Sequence, residues 1–147
     1  YRNPARVQAR FEAQFEAPLR AVLDDLVLPR EAPASPILEA LARLANEDAF
    51  NRTVGTRRVI LVSDMLQNSS LFTVYGRSRG PFPERMPEPG AVSEELLREY
   101  GPALENVLID VYLIPREGWE MEQSGPLEAY WDSIFMRLGA RTYWQRL

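Results

Sequence analysis

Two side chains stand where their types could do chemistry. Ser35 lies in a proline-rich loop directly before Pro36, at the start of a predicted helix. Asp64 closes the apolar run Val59-Ile60-Leu61-Val62 after one intervening serine, Ser63. That run, preceded by Arg57 and Arg58, fits a strand buried on both faces of a sheet. In open α/β sheets, ligands bind outside the carboxyl ends of the strands. A loop leading into a helix of such a fold reaches the same edge. One hydroxyl and one carboxylate there form part of a hard-cation site, which Mg²⁺ would complete with waters and other oxygens. Both residues also fit structural roles: Ser35 as a helix N-cap, Asp64 as a cap for the following segment or the partner of an arginine.

The composition removes most other chemistries. The 147-residue chain has no histidine, cysteine or lysine, and all 17 of its basic residues are arginine. Ser-His-Asp and Cys-His catalysis are excluded, as are thiolate or imidazole metal sites. So are a Schiff base and a P-loop lysine. Any metal would need oxygen ligands, which means Mg²⁺, Ca²⁺ or Mn²⁺. A net charge of −4 and a pI near 5.0 argue against nucleic acid as the main partner. With no cysteine, disulfide usage says nothing of the compartment. No signal peptide or membrane span is visible in the sequence. The chain opens on Tyr1 without an initiator Met, so the expectation is a larger protein with a segment upstream.

The elements that must position Ser35 and Asp64 follow from periodicity. A helix is predicted from Pro4 to about Leu28, with Asn3 as N-cap, a stripe of Val7, Phe11, Phe15, Leu19, Val22, Leu23 and Leu26, and a kink at Pro18. Residues 29–36 form a loop. Ser35 and Pro36 then open a second helix, with Ile37, Leu38, Leu41, Leu44, Ala45 and Phe50 on its buried side. After the strand ending at Asp64, residues 71–75 read as a loop or short turn. Residues 76–92, with four prolines and three glycines, form an irregular insertion in which Arg77-Ser78-Arg79-Gly80 could contact an anion. Ser93 is predicted to start the third helix. Val107 to Ile114 is the second strand. Ser124-Gly125-Pro126 starts the last helix, Gly139 stops it, and Arg141 to Gln145 alternates like a short final strand. Helices between buried strands imply parallel pairing and right-handed crossovers. The predicted fold is a single α/β domain over residues 1–147. It is a three-layer structure with a mostly parallel sheet and helices on both faces, truncated at the N-terminus.

These segments resemble the von Willebrand factor A-like (VWA) family. Ala34-Ser35-Pro36-Ile37-Leu38-Glu39-Ala40-Leu41 is similar to its second metal-site segment, with Ser in place of Thr. Val59 to Asp64 is similar to its third. Tyr1-Arg2-Asn3-Pro4, Ser63-Asp64-Met65-Leu66-Gln67 and Tyr130-Trp131 also resemble a bacterial VWA-like group. The resemblance implies a metal-ion-dependent adhesion site in which Ser35 and Asp64 are metal ligands. The family's first segment, Asp-x-Ser-x-Ser, does not occur here; in the family it would lie upstream of Tyr1. The site is therefore incomplete: no cofactor is expected to bind tightly, and Mg²⁺ would bind only with the upstream motif present.

The expected function is non-enzymatic: a soluble protein-interaction or scaffolding domain with a protein partner, its compartment left open by the sequence, with a membrane-anchored or periplasmic bacterial protein as one setting for it. Two alternatives stand beside it. One is a metal-assisted hydrolase completed by upstream acids. The other is an oligomerisation domain that forms a homo-oligomer through Tyr143 and Trp144.

Overall fold

The computed structural model describes residues 4–18, 20–21 and 34–147. They fall into two compact units, Tyr1–Glu31 and Ala32–Leu147.

In the first unit, helix α1 (Pro4–Phe11) runs into a π-helical turn, Glu12–Glu16. Two side-chain hydrogen bonds span its exposed side, Gln8 to Glu12 at 3.1 Å and Arg10 to Gln14 at 2.9 Å. The expected disturbance at Pro18 is present but lies earlier. Pro18 has no N–H for the carbonyl four residues back and its ring crowds that carbonyl, so the widened turn precedes the proline. The predicted N-cap Asn3, stripe positions Leu19, Val22, Leu23 and Leu26, and most of the 29–36 loop lie outside the described residues.

In the second unit the order is α2 (Ile37–Leu44), β1 (Arg57–Ser63), α3 (Pro89–Tyr100), β2 (Val107–Leu113), α4 (Glu120–Gln123), α5 (Pro126–Arg137) and β3 (Arg141–Arg146). The sheet has the order β1-β2-β3, and both pairs are parallel. Arg57 stands opposite Val107, and Leu108 opposite Arg141. This is the expected α/β fold with a parallel sheet, compatible with a three-layer arrangement. The final strand, read from alternation alone, is present.

Side-chain alternation divides the sheet into two unlike faces. Val59 and Leu61 share one face with Val107, Ile109, Val111, Leu113 and Trp144, and pack into a core with Leu38, Leu96, Trp131, Ile134 and Phe135. The other face carries Ile60, Val62, Leu108, Asp110, Tyr112 and Tyr143 in register. There Ile60 is 67% and Tyr143 60% exposed, while Asp110 is buried and paired with Arg58.

Local chemistry fixes the ends of the helices. α5 closes in a Schellman motif: Gly139, at φ +77°, donates to Met136 O at 3.1 Å, and Ala140 donates to Phe135 O at 3.0 Å. α3 begins at Pro89, not at Ser93 as expected. Proline at the first helical position has the right φ and no N–H to satisfy, so it starts the helix one turn earlier. Ser93 is buried inside the helix and donates back to Pro89 O at 2.7 Å. The irregular insertion therefore ends at residue 88. Arg57, 3% exposed, donates to the carbonyls of Ala45, Ala103 and Glu105, tying the start of β1 to the ends of α2 and the α3–β2 connection. Among the described residues, no helix is long and apolar enough to cross a membrane.

Candidate functional site

The chain turns sharply where β1 ends. Met65 has φ +60°, a left-handed conformation that few residues other than glycine adopt. Three hydrogen bonds hold it there. Ser63 Oγ accepts the Met65 N–H at 2.9 Å, Asp64 Oδ1 accepts the Leu66 N–H at 3.0 Å, and the Trp131 indole donates to Met65 O at 3.0 Å. The Met65 side chain is fully buried, so packing and hydrogen bonding stabilise the strained backbone together.

This turn aims Asp64 across the carboxyl edge of the sheet. Its Oδ2 accepts from Arg116 Nε at 2.8 Å, and both side chains are about one-fifth exposed (20% for Arg116, 19% for Asp64). Arg116 follows β2, so the pair bridges the ends of the two neighbouring strands. Gln123 braces the same edge. Its Nε2 donates to Asp64 O and Ile114 O, both at 3.0 Å, and its Oε1 accepts the Arg116 N–H at 2.9 Å.

Ser35 pairs through its backbone with the segment that follows β1. Ser35 N–H donates to Asn68 O at 2.8 Å and Asn68 N–H to Ser35 O at 3.0 Å, an isolated antiparallel bridge. Asn68 bridges Thr73 as well, so the 71–75 segment is an ordered loop. The loop before α2 is thus tied to the segment after β1 at Asn68, four residues beyond Asp64. The N-cap role assigned to Ser35 is corrected: the cap position is Pro36, with no side-chain cap of its own. The capping oxygen comes from a distant residue. Gln67 Oε1 accepts the Leu38 N–H at 3.0 Å, while its Nε2 donates to Glu39 at 2.7 Å and Ser69 at 2.9 Å. Glu39, in the first turn of α2, is thus held by Gln67.

These donors do not by themselves make a cation site. Asp64 has one oxygen on a backbone N–H and the other on Arg116, and among the described residues no group of three or more His, Cys, Asp or Glu is placed to hold a metal. A cation at Asp64 would have to displace Arg116 and recruit further oxygens.

Beside the edge, α4, Pro126 and the 77–85 loop line an open cleft of about 360 Å³. Glu122, next to Gln123, stands between two arginines, 3.2 Å from Arg77 and 3.8 Å from Arg85. Arg77 also stacks on the Trp119 ring at 4.1 Å and donates to Gly118 O. Arg85 is 3% exposed in its side chain and donates to Val74 O at 2.9 Å and Gly80 O at 3.2 Å. Its buried Nε has no hydrogen-bond partner. An unmet buried donor costs on the order of 1–3 kcal/mol. The sequence pointed to Arg77 through the Arg-Ser-Arg-Gly run. It gave no sign of Arg85 or Glu122, which meet only through tertiary packing.

The chain matches no protein-family model, no curated protein and no solved structure.

Proposed function

We propose that this chain is a non-enzymatic protein-interaction domain of the VWA kind, with its contact edge at the carboxyl end of the sheet around Ser35 and Asp64. The observation that carries this reading is the paired Ser35–Asn68 backbone, which draws the pre-helix loop to the segment following Asp64. A hydroxyl loop beside a strand-end carboxylate is the arrangement an adhesion-type cation site starts from. Arg116 supplies a positive charge to Asp64 in this chain, and Mg²⁺ replaces it only when further oxygen donors join the edge.

Mn²⁺ titration of the chain, followed by paramagnetic broadening of its amide resonances, tests this. Broadening centred on Ser35, Asp64 and Asn68 is expected to be weak, and stronger in Arg116→Gln. No localised broadening in either protein removes the residual-site reading. In a longer protein carrying the upstream acids, partner binding falls in excess EDTA and in Asp64→Ala; binding unchanged by both overturns the proposal.

The exposed Tyr143, with Ile60 on the same outward face, favours a second reading, a self-associating domain that buries this face; Trp144, expected at that interface, instead packs against the core and donates to Asp132 at 2.8 Å. Light scattering across a concentration series separates the two. A dimer that dissociates in Ile60→Glu supports self-association, and a monomer at all concentrations dismisses it.

A further inference from the structure

We propose that the free edge of β1 is a pairing surface for a second copy of this chain. The two β1 strands run antiparallel about a two-fold axis centred on Ile60 and join two sheets into one. This inference does not rest on the adhesion-type reading, and it uses the edge of β1 rather than the outward face of the sheet.

β1 pairs with β2 on one side only. Backbone polar groups alternate sides along a strand. Ser63 O accepts the Ile114 N–H at 2.9 Å, so Arg57, Val59, Leu61 and Ser63 address β2. Arg58, Ile60 and Val62 address the other side. Among the described residues, no hydrogen bond reaches their backbone N–H and C=O groups. The core is open along the same line. Val59 and Leu61 are only partly buried, whereas Ile109 and Val111, opposite them in register, are 0% exposed. An added strand pairs the backbone groups and covers these two side chains together.

The two edges of the sheet are unlike. β3 carries Arg141, Gln145 and Arg146, and Asp132 braces its Thr142 and Trp144 side chains. Charged side chains blunt an edge. β1 has the apolar run Val59 to Val62 and an unbroken register over seven residues, with no proline. Its one outward-facing charge, Arg58, is engaged by Asp110. A long apolar edge without such devices is a template for another strand.

This row of donors and acceptors needs an extended backbone, and β1 is itself one. About a two-fold axis perpendicular to the sheet, centring on Ile60 pairs the whole strand. Arg58 meets Val62 of the second copy, Ile60 meets its own counterpart, and Val59 meets Leu61 of the second copy. The first two pairings join groups that address the free edge, so each exchanges both backbone bonds. The third lies on the core face and continues the apolar layer. The basic start of each strand then meets the far end of the other. Parallel alignment in register would set Arg58 against its counterpart, and like charges directly opposite are unfavourable. The antiparallel contact is isologous and closes as a dimer.

The test is sedimentation of the whole chain across a concentration series, with amide hydrogen exchange at Arg58, Ile60 and Val62. A dimer is expected, with exchange at these amides slowing as the dimer population rises. Val62→Pro deletes an edge N–H in each copy that no bond within the chain uses, and should weaken the dimer at least about tenfold. Ile60→Lys, at a side chain that is 67% exposed, sets two charges together on the axis and should also dissociate it; this variant is read if Val62→Pro does not fold. Tyr143 lies on β3, away from this edge, so Tyr143→Glu should leave the dimer intact, which separates edge pairing from association through the outward face. A monomer throughout the series leaves the edge to a strand from another protein and overturns the proposal. So does a dimer whose edge amides exchange as fast as the monomer's, or one lost in Tyr143→Glu but kept in Val62→Pro.

Discussion

Asp64 Oδ2 accepts from Arg116 Nε at 2.8 Å while Asp64 Oδ1 holds the Leu66 N–H at 3.0 Å, so one carboxylate both joins two strand ends and shapes the turn after β1. These two jobs can be separated. Asp64→Asn keeps an oxygen for Leu66 but loses the charge opposite Arg116. Asp64→Ala loses both. At about one-fifth exposure the pair lies between surface and buried ion pairs. Asp64→Ala is expected to cost about 2 kcal/mol and Asp64→Asn about 1 kcal/mol in urea unfolding. Equal losses in the two variants would show that the ion pair alone matters.

Gln67 is fully buried and makes three side-chain hydrogen bonds, to Leu38 N–H, Glu39 and Ser69. It caps α2 from 29 positions away. Gln67→Ala removes the cap, leaves buried Glu39 without that donor and opens a cavity. The expected cost is about 3–4 kcal/mol. Gln67→Glu preserves the volume but sets a carboxylate against Glu39 and cannot donate to it. It should cost at least as much at neutral pH. If Gln67→Glu is instead as stable as the parent in urea, packing rather than hydrogen bonding holds this position.

Gln67 also shows where sequence reasoning stops. The strands were legible because Val59 to Val62 and Val107 to Ile114 are apolar runs rich in β-branched residues, and β3 because Arg141 to Gln145 alternates. The end of α5 was legible because Gly139 supplies a left-handed residue locally. Helix starts were less so. Ser35 and Ser93 both carry the local signal of an N-cap, yet Gln67 supplies the capping oxygen of α2 through tertiary contact, and α3 starts at Pro89 through backbone geometry. The same limit applies to the site. Asp64 could be placed at a strand end from the apolar run before it, but nothing local to Asp64 announces Arg116. Arg57 and Arg85 look like ordinary surface arginines in sequence. They are buried because backbone carbonyls from several loops converge on them.

Gly139 and Gly118 have nearly the same backbone, φ +77° and +79°, but different surroundings. A Cβ on Gly139 would lie 3.3 Å from Glu105 Cα, whereas one on Gly118 would meet nothing within 4 Å. An alanine in this region of backbone costs roughly 1–2 kcal/mol for conformation alone. Gly118→Ala is expected to stay near the lower figure, about 1 kcal/mol. Gly139→Ala adds the close approach to backbone and should exceed about 2 kcal/mol. Thermal unfolding of the two variants gives the comparison directly, and equal shifts would mean that the Glu105 backbone yields without cost.

Tyr130 makes alkaline stability a test of the core. Its ring is 6% exposed and packs edge-on to Phe72 and Phe82, with the hydroxyl donating to Pro87 O at 2.8 Å. Burial, with a smaller contribution from Glu88, holds its ionisation well above the usual tyrosine value. The folded pKa is therefore above the unfolded one. Stability from the neutral phenol is complete below about pH 10 and is lost as pH rises towards the folded value. The chain has no lysine or cysteine, so tyrosines dominate side-chain titration in that range. Tyr130→Phe cannot ionise and lacks only the bond to Pro87. It should be about 1 kcal/mol less stable than the parent near neutrality. Above about pH 10 the parent should lose ground to it by up to about 1.4 kcal/mol per pH unit, so that the two curves cross roughly one unit higher. Urea midpoints of both proteins across the alkaline range measure this, and a difference that stays constant with pH would mean that Tyr130 opens to solvent before it ionises.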